Sequence, residues 1–280
     1  MSAIWWVDGE QTGSLPIENR GLAYGDGLFE TMRAVGGRIP LLDAHMCRLS
    51  QGAAVLDLCI ELDIAKQQID QALSSLSDKG WPQAVIKLIL IRDGNSQGYG
   101  YARTAGSCYL IRASELVLPE QADILHTRVC KHQLSEQSVL AGVKHLNRLD
   151  QVMASRELEN EQEGVLLDAE GFVQEGISSN ILLVKNDSIS TPALLKTGVK
   201  GVMRKFLKSQ INQLPELEWI ERAIHYSELA EADEIIFTNA VRGVRNAVSV
   251  RDIWASETKQ VGDRLRSVLL EQLSKSFASF

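Results

Sequence analysis

The segment Ala141-Gly142-Val143-Lys144-His145-Leu146-Asn147-Arg148-Leu149-Asp150 sets one lysine behind a glycine and ahead of what reads as the start of a helix. A lysine so placed can be held at the floor of a cleft. Burial among apolar neighbours disfavours the ammonium form, and an uncharged amine is a nucleophile. Most lysines are solvated surface residues, so the meaning of Lys144 depends on what the rest of the chain supplies.

Downstream, Phe172-Val173-Gln174-Glu175 reads as a short strand whose last residue precedes Gly176 and the polar set Ser178-Ser179-Asn180. A carboxylate there either holds a protonated ring nitrogen or is a solvated strand end. Thr197-Gly198-Val199-Lys200-Gly201-Val202-Met203-Arg204 leads two glycines into a helix expected over 197–213. Unpaired N–H groups and the positive end of the helix dipole suit a single phosphate there. The Walker spacing is absent, which argues against a nucleoside triphosphate. Thr238-Asn239-Ala240 closes an apolar strand and offers a hydroxyl and N–H groups. Upstream, Arg48 in His45-Met46-Cys47-Arg48-Leu49 would add a charge-assisted phosphate contact.

The run Asn19-Arg20-Gly21-Leu22-Ala23-Tyr24-Gly25-Asp26-Gly27 enters a strand over 28–35. Its glycines fit either a turn needing positive φ or a ligand edge. Gly36-Gly37 reads as a hairpin turn. Helices are expected over 42–58 and 63–79, and strands over 84–92 and 107–113. A second series follows: strands at 123–130, 164–168, 172–175, 181–185, 217–222, 233–238 and 244–250, a helix from Lys144 to about Glu161, and a closing helix over 260–280. The pattern implies two mixed α and β lobes: 1–114, a linker at 115–121, and 122–280 carrying the lysine.

A net charge of -7 argues against nucleic acid or a membrane surface as partner. No apolar run reaches membrane-span length, and no signal peptide is expected. Cys47, Cys59, Cys108 and Cys130 form no C-x-x-C pair and read as buried, reduced thiols of a cytosolic protein. The histidines form no H-E-x-x-H pair, so no metal site is expected.

On Tyr24-Gly25-Asp26-Gly27-Leu28-Phe29-Glu30-Thr31, the Arg48 segment, Gly142-Val143-Lys144-His145-Leu146-Asn147-Arg148-Leu149, Glu175 with Ser179-Asn180, and the 198–204 stretch, the sequence resembles the fold-type IV pyridoxal-phosphate enzymes. These are the D-amino-acid and branched-chain aminotransferase-like proteins, and the Lys-His-Leu-Asn-Arg-Leu string points within them to the aminodeoxychorismate lyases. The resemblance implies a two-lobe α+β fold, pyridoxal 5'-phosphate, a cytoplasmic homodimer, and conversion of 4-amino-4-deoxychorismate to 4-aminobenzoate and pyruvate.

It further implies that Lys144 forms the Schiff base, Glu175 pairs with the pyridine nitrogen, and Arg48 holds the phosphate. Val202, Met203, Asn239 and Ala240 would complete the phosphate cup, with Asn180 nearby. The aminotransferases carry a tyrosine five residues after the lysine, on the cofactor's phenolic oxygen. Here that residue is Leu149, with Asn147 or Arg148 expected to take over, which tilts the reading from amino transfer to lysis. Thr31 is a candidate contact to substrate or leaving group. Gln97 stands where some lyases have arginine, and Arg92, Arg103 and Arg242 are candidates for the substrate carboxylates. The alternatives are an aminotransferase of the same fold and a non-catalytic cofactor-binding protein.

Overall fold

The computed structural model describes residues 3–77, 79–94, 98–102, 104–118 and 124–278. Gln97, Arg103 and linker residues 119–121 lie outside them. Residues 1–118 with 143–147 form one compact unit, and 119–142 with 148–280 form a second.

The first unit is built on an antiparallel sheet of β1 (Ile4–Val7), β2 (Glu10–Gln11), β3 (Gly27–Val35), β4 (Gln83–Arg92) and β5 (Ser107–Glu115), in the order β2-β1-β5-β4-β3. A five-residue helix, α1 (Arg20–Tyr24), sits inside the glycine run, capped by the Asn19 side chain and ended by Gly25 at φ 64°. Sequence patterning misses it because one turn leaves no periodicity to read. Strand alternation divides the sheet into two faces. Leu28, Met32, Ile86, Leu88 and Ile111 lie on the face covered by α2 (Leu42–Leu56) and α3 (Leu62–Ser77), packed with Leu49, Ala53 and Ile69. Phe29, Thr31, Arg33, Lys87 and Arg112 take the other face and are only half-buried. The hairpin turn falls at Gly36 and Gly37, with φ 55° and 74°.

The second unit holds a nine-stranded mixed sheet: β6 (Ile124–Gln133), β7 (Glu163–Leu167), β8 (Val173–Gly176), β9 (Asn180–Lys185), β10 (Ser188–Pro192), β11 (Glu218–Arg222), β12 (Glu234–Asn239), β13 (Gly243–Val250) and β14 (Trp254–Ala255). Its helices are α4 (Leu149–Ser155), α5 (Val202–Ser209) and α6 (Gln260–Ala278). Leu125, Val165, Ile181, Leu183, Ile235 and Phe237 form its core. β10 is missing from the sequence reading because Ser188-Ile189-Ser190-Thr191-Pro192 looks polar. It is held between β9 and β11, with Ser190 and Thr191 buried.

Four expectations are corrected. The helix expected from Lys144 to Glu161 is confined to α4, because residues 143–147 run extended beside β3. Phe29 donates its N–H to the Lys144 carbonyl at 3.0 Å, and Leu146 donates to the Gly27 carbonyl at 3.0 Å. That pairing also moves Lys144 out of the second lobe and into the first unit. Past α4, the Glu157 carboxylate accepts the N–H groups of Lys131 and His132 at 2.7 and 2.8 Å, drawing the chain out of helix. The helix expected over 197–213 begins only at Val202, since Gly198 has φ 82° and Gly201 is extended. Finally, all four cysteines are free, but only Cys108 and Cys130 are buried, while Cys47 and Cys59 are exposed.

Candidate active site

In the first unit, Lys144 is half-buried, and its Nζ lies 4.2 Å from the centre of the Phe29 ring. Lys87 Nζ stands 4.7 Å from the same ring. Register places Thr31 opposite Lys87, and Lys87 opposite Arg112, along one row of the open sheet face. Burial, with the Arg112 charge added, pushes the Lys87 ammonium below its usual pKa. Asn147 donates its side-chain N–H to the Gly25 carbonyl at 3.2 Å, so it also fastens the glycine turn.

Arg48 lies on the helix-covered face. Its Nε donates to Glu30 Oε1 at 2.8 Å and its Nη2 donates to Oε2, while His45 Nδ1 meets Oε2 at 2.6 Å. Burial raises the Glu30 pKa, but the charge and hydrogen bonds of Arg48 and His45 outweigh it and hold the carboxyl down at about 2. Arg48 is thus a guanidinium already gripped by a carboxylate.

Arg92 is corrected as a candidate for the substrate carboxylates. It is 3% exposed, donates to Asp26 Oδ2 at 3.0 Å, and donates to the carbonyls of Asp57 and Leu56 at 2.7 and 2.6 Å. Arg20 reaches the same Asp26 oxygen at 2.8 Å and donates on to the carbonyls of Gly98, Tyr99 and Gly100. These arginines tie the glycine-rich loops together.

In the second unit, Glu175 is 5% exposed at the end of β8. Its Oε2 accepts the Val199 N–H at 2.8 Å and its Oε1 accepts Gln151 Nε2 at 3.3 Å. Asn180 donates to the Val199 carbonyl at 2.8 Å, so Glu175 and Asn180 hold both backbone groups of one residue. Gly201 then caps α5, and Val202 and Met203 fall in its first turn, where helix geometry leaves N–H groups without intrahelical acceptors. A Cβ on Gly201 would sit 1.9 Å from Asn180 Oδ1, so this approach requires glycine. Gly142, at φ 82°, pairs with the same loop: it donates to the Gly198 carbonyl at 2.8 Å and accepts from the Lys200 N–H at 3.2 Å.

α5 packs against β12, which ends at Asn239. The Asn239 side chain is committed to its own turn. Oδ1 accepts the N–H groups of Val241 and Arg242 at 3.0 and 2.7 Å, and Nδ2 donates to the Ser178 carbonyl and Ser179 Oγ, both at 3.2 Å. Asn239-Ala240 therefore offers backbone, not an amide side chain. Arg148 is the N-cap of α4, and Leu149 beside it is 72% exposed. Arg242 is half-buried in the same β12–β13 turn.

The donors of the second unit, taken by themselves, suit a ligand that carries an anion and a cationic ring. A buried carboxylate that accepts two hydrogen bonds suits a ring N–H⁺ as a further donor. A glycine-led helix N-terminus suits a phosphate. In the first unit, a lysine amine beside an aromatic face suits a carbonyl group.

The amino-transferase class IV family model matches residues 27–250. The chain belongs to this family. It is 30% identical to an aminodeoxychorismate lyase of Vibrio harveyi, over 91% of this chain and 93% of the relative. Its fold matches the crystal structure of a 4-amino-4-deoxychorismate lyase from Pseudomonas aeruginosa with TM-score 0.87 and 32% identity, covering 96% and 99% of the two chains. It is also 26% identical to a D-alanine aminotransferase of Bacillus licheniformis, over 94% of each chain.

Sequence alone assigns no individual role to Phe29, Glu30 and His45, which stand inside the quoted segments, nor to Lys87 and Gln151. Glu30 had a usable signal: it interrupts the apolar side of an alternating strand, so the strand pattern itself buries a charge. Gln151 had none, because its partner is fixed only by the fold. Among the described residues, no helix is long and apolar enough to cross a membrane.

Proposed function

We propose that this chain is a pyridoxal-phosphate-dependent lyase that converts 4-amino-4-deoxychorismate to 4-aminobenzoate and pyruvate, working as a cytoplasmic homodimer. The observation that carries this reading is the similarity, over nearly the full length of both chains, to a lyase structure at 32% identity. Leu149 supports it, since a leucine cannot offer the phenol expected five residues after the lysine of an aminotransferase.

In this reading Lys144 holds the cofactor covalently, Glu175 balances the ring nitrogen's charge, and Arg48, Val202, Met203 and the Asn239-Ala240 turn hold the phosphate, with Asn180 fixing the loop before α5. Asn147 or Arg148 would take over the contact that the aminotransferases' tyrosine makes to the cofactor's phenolic oxygen. Bound pyridoxal phosphate supplies an aldehyde that links to an amine and a ring that accepts an electron pair. Lys144 would act as the base that takes the proton from the substrate ring carbon bearing nitrogen. The enolpyruvyl group departs from the neighbouring carbon, and protonation of its methylene carbon gives pyruvate. Loss of both groups makes the six-membered ring aromatic, which drives the step downhill. Lys87 and Arg112, side by side with Thr31 on the open sheet face, supply two cations for the two substrate carboxylates.

Incubation with 4-amino-4-deoxychorismate, following pyruvate and 4-aminobenzoate together, is the test. Equimolar release of both supports the lyase. The D-alanine aminotransferase likeness favours a second reading, and amino transfer to 2-oxoglutarate without pyruvate release from aminodeoxychorismate would replace the first with it.

A further inference from the structure

Glu30 is a buried carboxylate that the proposed reaction does not use. Its place in β3, between Leu28 and Met32 in the alternation, points it at the apolar face under α2, where it is 1% exposed. A charge in such surroundings persists only with matched donors. His45 and Arg48, one turn apart on α2, deliver them from a single helical face. The Arg48 guanidinium is therefore held through Nε and Nη2 against both carboxylate oxygens, a fork that fixes its plane. His45, itself 1% exposed, closes the far side of the carboxylate so that Glu30 cannot swing.

We propose that Glu30, backed by His45, is a positioning residue that fixes the Arg48 guanidinium in the orientation that receives the cofactor's phosphate. This rests on the reading of Arg48 given above. Two physical effects oppose each other here. The Glu30 charge offsets the pull of Arg48 on a phosphate, whereas the fork pre-orders its donors. Charge alone predicts that neutralising Glu30 tightens phosphate binding; positioning predicts that it weakens it.

The experiment measures dissociation constants of the full-length apo-protein for pyridoxal phosphate and for pyridoxal, which lacks the phosphate. A general structural defect weakens both equally and leaves their ratio unmoved. E30Q is expected to reduce the preference for the phosphorylated form about tenfold, and H45N about threefold, as charge-assisted hydrogen bonds are lost. R48Q, measured alongside, is expected to reduce it further. An unchanged or increased preference in E30Q, with a reduced one in R48Q, overturns the positioning role alone. An unchanged preference in R48Q overturns the phosphate role of Arg48, and the inference with it. If E30Q does not fold, the ratio in H45N decides.

Discussion

Lys144 Nζ stands 4.2 Å from the centre of the Phe29 ring. The contact exists because residues 143–147 pair with β3, so backbone hydrogen bonds on Phe29 and Gly27 aim the lysine side chain. An ammonium over a ring face gains about 0.5–1 kcal/mol at an exposed site. Phe29→Leu keeps apolar volume but removes the face, and turnover is expected to fall several-fold while the lysine still takes the cofactor. Loss of cofactor attachment in that variant would show that the ring does more than steer the amine.

Lys144→Ala should abolish both turnover and covalent attachment. Borohydride reduction of the wild-type holoenzyme, followed by peptide mass analysis, should place the cofactor's mass on the peptide holding Lys144. Label on Lys87, whose amine lies 4.7 Å from the same ring, would reassign the nucleophile.

Lys87→Met is expected to raise KM for 4-amino-4-deoxychorismate at least tenfold with a smaller change in kcat, the signature of lost ground-state binding. An unchanged KM would remove Lys87 from the substrate's carboxylates.

Glu30 makes stability depend on pH. Its pKa in the fold is about 2 against an ordinary 4.5, so its contribution is fully present above pH 4.5 and is lost as pH falls through 2. That gap corresponds to about 3 kcal/mol. Glu30→Gln should therefore unfold at lower urea than wild type at pH 7, and the difference should shrink between pH 4.5 and 2. A difference that stays constant over that range would mean that the variant's cost comes from packing instead.

Gly201→Ala places a Cβ 1.9 Å from Asn180 Oδ1. Thermal unfolding should show a loss of about 1–3 kcal/mol, as overpacking does, together with weaker binding of pyridoxal phosphate. Adding Asn180→Ala removes the obstructing atom and should recover part of the stability, a coupling a double-mutant cycle detects. Strict additivity would place the strain elsewhere.

Local patterns in the chain reached far into the fold. The alternation in β3 and β4, the 3.6-residue spacing of α2, and the glycines ahead of α5 each follow from steric rules acting over a few residues. They made Glu175, Arg48 and the α5 N-terminus readable as candidates. Where the polar content of a strand hid its burial, as in β10, the patterns failed, because Ser190 and Thr191 are buried by neighbours that no local window contains.

By itself, then, the sequence determined the lysine, the glutamate, the glycine-led helix and the family those segments resemble. Only the tertiary structure decided what each group touches. It set the lysine segment beside β3 instead of in a helix, turned Arg92 inward to Asp26, and clamped Arg48 on Glu30. The reason is physical: backbone periodicity is encoded locally, whereas a buried charge finds its partner among residues far apart in the chain, and only the finished packing selects which one.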